Sequence, residues 1–138
     1  MSIIKNFIIL ILVSLFAVSV NSQEVKKVGK FKDWETIIIT EQTGKVCFAQ
    51  SAPVLQAPKS NKREARMFVS FRPGEKISNE ISITGGYEFN NKNSITAKSG
   101  KSKYKFDITQ EGFAWIANTK IENKMINSFK ERADDLLD

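Results

Sequence analysis

The sequence predicts a mainly β protein: an antiparallel sandwich or barrel followed by one C-terminal helix. Two observations carry that prediction. From Thr36 to Ile108, short apolar–polar runs recur about every ten residues with Gly, Pro, Asn or Ser turn signals between them. That spacing belongs to antiparallel all-β domains, not to βαβ units. Past Asn118 the period lengthens, and Ile121, Met125, Ile126, Phe129, Ala133, Leu136 and Leu137 fall on one face of a helix.

The chain opens on a leader. Lys5 is followed by a nearly unbroken apolar run, Phe7 to Val18, and then by Val20-Asn-Ser22. A short basic end, about a dozen apolar residues and a small-residue site describe a cleaved signal peptide. The run falls short of the roughly 20 residues that span a bilayer. Residues 1–22 are therefore expected to be removed between Ser22 and Gln23, leaving no transmembrane segment. Residues 23–30 are rich in lysine and read as a flexible basic arm ahead of a single domain, 31–138.

Within that domain, Thr36-Ile-Ile-Ile-Thr40 is strongly β-branched and pairs through the turn Gln42-Thr-Gly-Lys45 with Val46-Cys-Phe-Ala-Gln50. Pro53 and Pro58 bracket a loop that runs through Lys59-Ser-Asn-Lys-Arg63. The central strand follows: in Arg66-Met-Phe-Val-Ser-Phe-Arg72, Met67, Val69 and Phe71 form the expected dry face. Pro73-Gly74 ends it, since proline lacks the N–H the ladder needs. Glu80-Ile-Ser-Ile-Thr84 alternates, Gly85-Gly86 turns, and Tyr87-Glu-Phe89 is a short apolar–polar–apolar piece. Residues 94–98 and 103–108 form a hairpin whose inward faces are Ile95 and Ala97 on one arm, Tyr104, Phe106 and Ile108 on the other. The helix is expected near 121–137, capped by Asn118 or Thr119.

Composition narrows the chemistry. The 138 residues carry 21 Lys+Arg against 15 Asp+Glu, with no histidine and one cysteine, Cys47. An intrachain disulfide, a Cys/His metal cluster and histidine catalysis are excluded, and packing must hold the fold. No cofactor is implied. Gly100-Lys-Ser102 ends like a phosphate loop, but Ile95 stands where its first glycine belongs. Cys47 alternates with hydrophobic neighbours as a small packed side chain. Glu64 and Glu75 read as solvated loop charges. An enzyme would have to use Ser/Lys or carboxylate chemistry, which is the alternative reading. The leading one is a non-enzymatic binding module whose basic cluster, Lys59, Lys62, Arg63 and Arg66 with Arg72, meets an anionic partner. That partner would be an envelope lipid or polysaccharide, or a partner protein; nucleic acid is excluded by the exported location.

Several motifs together resemble a known family. Gly29-Lys-Phe-Lys-Asp-Trp34, Lys45-Val-Cys-Phe-Ala-Gln50, Arg66-Met-Phe-Val-Ser-Phe-Arg-Pro73, Glu80-Ile-Ser82, Gly86-Tyr-Glu-Phe89 and Phe113-Ala-Trp-Ile116 are similar, in order and spacing, to the invasion-associated locus B family. Its members are small exported proteins of alphaproteobacteria. The resemblance implies an immunoglobulin-like β-sandwich in the periplasm or at the outer surface, a host-cell entry role in pathogenic relatives, and no catalytic mechanism. Two departures stand out. Ile37-Ile-Ile39 occupies the region where many members have a second cysteine. The ending Lys130-Glu-Arg-Ala-Asp-Asp-Leu-Leu-Asp138 replaces the family's last strands, so a sandwich short of one or two strands is expected, with an open edge and an uncovered apolar face.

Overall fold

A computed structural model describes residues 23–134. The leader through Ser22 lies outside the described residues, as do Leu136 and Leu137. The described residues form nine strands: β1 (Glu24–Phe31), β2 (Trp34–Glu41), β3 (Gly44–Ser51), β4 (Arg66–Arg72), β5 (Ile77–Thr84), β6 (Ile95–Ser99), β7 (Ser102–Phe106), β8 (Ile108–Gln110) and β9 (Phe113–Trp115). One helix among the described residues, α1 (Thr119–Asp134), follows. Seven strands make one antiparallel sheet in the order β1-β2-β3-β4-β5-β9-β8, and β6 pairs with β7 alone. The protein is mainly β with a C-terminal helix. The second layer is the β6–β7 hairpin with α1, so the sandwich is open. An immunoglobulin-like sandwich, as the resemblance implies, has a second sheet of comparable size; here that sheet has two strands.

Register sorts the side chains of the large sheet. Ala49, Val69 and Ile81 align on one face, as do Met67, Ile83 and Ala114. Against that face pack Tyr104 and Phe106 from β7, Ile116, and Met125 with Phe129 from α1. Ile81 and Ala114 are fully buried there. The opposite face carries Phe48, Gln50, Phe68, Ser70, Phe113 and Trp115. Period two thus gives β4 two apolar faces, one in the core and one half-buried among the aromatic side chains of its sheet neighbours.

Several expectations are corrected by this layout. The stretch 23–30 is the edge strand β1, paired from Glu24↔Thr40 to Phe31↔Trp34. The ladder offered by the β-branched strand β2 decides that, and lysine-rich sequence is what edge strands tolerate. Ile108 is 47% exposed and sits on β8. Asp107 breaks the hairpin arm: its N–H donates to the Trp115 carbonyl at 3.0 Å, and its Oδ1 accepts the Ala117 N–H at 2.9 Å. This turns the chain back into the large sheet. Phe71 is exposed, whereas Ser70, between Phe48 and Glu80 in register, is buried. Ile121 is also exposed.

The inward position beside Ile121 goes to Glu122. The last β5–β9 pair is Ser82↔Trp115. One residue on, no strand among the described residues faces Ile81 on the β9 side, and its N–H donates to Glu122 Oε1 at 3.0 Å. Burial pushes the Glu122 carboxyl above the usual range, the Ile81 N–H pulls it back, and nearby Glu80 adds to the rise. Asn118 caps α1, its Oδ1 accepting the Lys120 N–H at 2.9 Å. Among the described residues no helix is long and apolar enough to cross a membrane.

Candidate functional site

The β3–β4 loop holds most of the basic cluster. Gln56 clamps its two limbs: the Gln56 Nε2 donates to the Arg63 carbonyl at 3.0 Å, and the Arg63 N–H donates to Gln56 Oε1 at 3.3 Å. Arg63 Nη2 reaches back to the Ala57 carbonyl at 2.6 Å, while its guanidinium lies 5.0 Å from the Tyr87 ring centre. The Asn61 N–H donates to the Pro58 carbonyl at 3.3 Å, closing a turn at the tip. Gly86 seats the loop from below. Its φ is +73°, and a Cβ there would stand 2.8 Å from the Glu64 amide nitrogen.

These contacts divide the five candidate side chains. Arg63 is half-buried and braces the loop. Arg66 is paired with Glu64 at 2.9 Å. Arg72 lies at the far end of β4, roughly 20 Å along the strand from Arg66. There it grips Glu80 with Nη2, at 2.9 and 2.7 Å, and Glu75 with Nε at 3.1 Å. Lys59 and Lys62 are exposed, and among the described residues neither has an ion-pair partner. Lys59, Lys62, Arg63 and Arg66 line one shallow depression of about 480 Å³, and Arg72 is not part of it.

Two features of the surface escape a reading based on charge. Val54 and Leu55 line the same depression and are each 84% exposed. Their sequence signal is an apolar pair inside a proline-bracketed polar loop, where no strand or helix period accounts for it. The second feature is an aromatic strip on the open face of the sheet. Phe48–Phe68, Phe68–Phe113 and Phe113–Trp115 are 5.9, 6.0 and 5.8 Å apart between ring centres. Ser70, Ser82, Gln110 and the Arg72–Glu80 pair border it. Period two signals this strip as well, once β4 is allowed two apolar faces.

Glu80 and Glu122 both line a neighbouring hollow of about 530 Å³. Both are engaged, Glu80 by Arg72 and Glu122 by the Ile81 amide. Each carboxylate has a structural duty where it stands. The expected loop carboxylates, Glu64 and Glu75, are held in separate arginine pairs. Ser128 donates its hydroxyl to the Met125 carbonyl at 2.7 Å, as helical serines do. No protein-family model, no curated protein and no solved structure matches the chain.

Proposed function

We propose that this protein is an exported, non-enzymatic binding domain of the invasion-associated locus B type, acting in the periplasm or at the outer surface of a Gram-negative envelope. In this reading it meets an anionic envelope component through Lys59 and Lys62. One observation carries the choice of residues: these two lysines stand exposed on a clamped loop, while the neighbouring arginines are engaged within the domain. Cations on a braced loop lose less conformational freedom on binding than cations on a free chain. The leader sequence supports export, and the family motifs support the kinship: Lys45–Gln50 lies on β3, Arg66–Arg72 is β4, and Phe113–Trp115 is β9.

Two experiments test the reading. The protein recovered from the periplasm should have the intact mass of a chain beginning at Gln23; full-length chain in the membrane fraction would count against export. Binding to lipopolysaccharide and to anionic vesicles should be weak, fall as salt rises, and drop when Lys59 and Lys62 are changed to Ser. The Debye length shortens from about 10 Å at 0.1 M to 3 Å at 1 M, so exposed contacts of this kind are screened. Lys26→Ser/Lys30→Ser on β1 is the control for general surface charge, because deleting β1 would strip β2 of one of its two neighbours. If the control loses as much binding as the loop variant, the loop is not the site.

A further inference from the structure

We infer that the anionic partner is a lipid bilayer and that Val54 and Leu55 enter it, an inference that rests on the loop-lysine reading above. Of the large apolar side chains found exposed among the described residues, these two are the most exposed, at 84% each; the next, Phe31, is at 69%. They are adjacent on the limb between β3 and Gln56, so one apolar projection presents both. Lys59 and Lys62 share their depression, with Arg66 beside them and the one acid there, Glu64, already paired to Arg66. The patch therefore has an apolar projection, a basic flank and no free anion among its described side chains.

That combination discriminates between anionic partners. A polysaccharide or a soluble polyanion uses the lysines and gives the apolar pair nothing to bury. A bilayer with anionic lipid uses both: headgroups for the lysines, and the acyl boundary for the two side chains. A projecting apolar pair also needs no matching cavity in a fluid lipid layer, whereas a folded partner protein would have to supply one. The bonds between Gln56 and Arg63 fix the loop limb that begins one residue after Leu55, so the apolar pair enters a braced segment instead of a free one.

The test uses the exported protein, mixed phosphatidylcholine–phosphatidylglycerol vesicles, and dextran sulfate as a soluble polyanion. Val54→Ser/Leu55→Ser should weaken vesicle binding by about tenfold or more, as partial burial of two aliphatic side chains implies, and leave dextran sulfate binding unchanged. Lys59→Ser/Lys62→Ser should weaken both, with a vesicle loss of about thirtyfold from two basic residues at an anionic surface. Leu55→Trp keeps an apolar projection and adds a probe. Its emission should shift to the blue on vesicles and be quenched by brominated acyl chains, beyond the parent signal from Trp34 and Trp115. If Val54→Ser/Leu55→Ser binds vesicles like the parent, or vesicle-bound Leu55→Trp is not quenched, insertion is wrong and the lysine reading stands. If Lys59→Ser/Lys62→Ser binds both probes like the parent, the lysine reading fails and the inference fails with it.

Discussion

Single residues in this protein hold junctions between elements, and two of them can be read by substitution. Gly86 is the seat of the β3–β4 loop, with a left-handed φ and a backbone neighbour at 2.8 Å from any added Cβ. Gly86→Ala should cost about 1–2 kcal/mol from the left-handed conformation alone, and more from the contact. The loosened loop should also become the first site nicked by trypsin, at Lys59 or Lys62. Unchanged melting and unchanged nicking would mean that the loop does not depend on this seat. Glu122 makes the second test. Its folded pKa is raised, so above the unfolded value of 4.5 the folded state binds the proton more tightly than the unfolded chain does. That stability is fully present below the unfolded value of 4.5 and is lost as pH rises through the folded one. Glu122→Gln keeps the acceptor for the Ile81 N–H without the charge. The melting temperature of the parent relative to Glu122→Gln should therefore fall between pH 4.5 and 7. Glu122→Leu should be less stable than Glu122→Gln at both, because a buried amide left without a partner costs about 1–3 kcal/mol.

At the scale of elements, β4 shows what could be read in the sequence and what could not. Its existence and bounds follow from period two and from Pro73, which stops the ladder. The covering of its faces does not follow, because that depends on which neighbours the register brings alongside. Phe48, Phe113 and Trp115 come from β3 and β9, far apart in sequence, and make the second face half-buried. Ser70→Asp is therefore expected to be damaging, as Val69→Asp is: a carboxylate in place of buried Ser70 must find a partner beside Glu80 or neutralise. Both should lower the melting temperature well below that of Phe71→Asp, at an exposed position. A harmless Ser70→Asp would show that the aromatic face is wetter than its packing indicates. The same limit explains Ile121 and Glu122. A helical stripe in sequence selects apolar positions, and only the unpaired Ile81 amide explains why an acid sits among them. In the candidate site the charges were legible as a loop cluster. Their engagement was not, since Glu64, Glu80, Ala57 and Tyr87 become partners only through the fold.

At the scale of the whole molecule, the large sheet does not close on itself, and an open sheet has two edges to guard. One edge ends in β8, only three residues long, which offers little to a second chain. The other is β1, eight residues with Val25, Val28 and Phe31 exposed. An edge strand of that length and character is a template for edge-to-edge association. Two devices act against it. The β1–β2 register shifts between Lys27 and Gly29, which bends the edge. Lys26, Lys27 and Lys30 outnumber its one acid, Glu24, and of the three only Lys27 has an anionic partner among the described residues, Glu35 at 2.9 Å. Two such edges brought together would place Lys26 and Lys30 of each copy along one interface, and like charges facing across strands destabilise pairing. The expectation is that Lys26→Thr/Lys30→Thr, which raises β propensity and removes the repulsion, associates with rising concentration. The parent should stay monomeric under the same low-salt conditions in sedimentation velocity and begin to associate when salt screens the lysines. If the variant sediments like the parent at every concentration, the bulge alone guards the edge and the lysines of β1 have some other use.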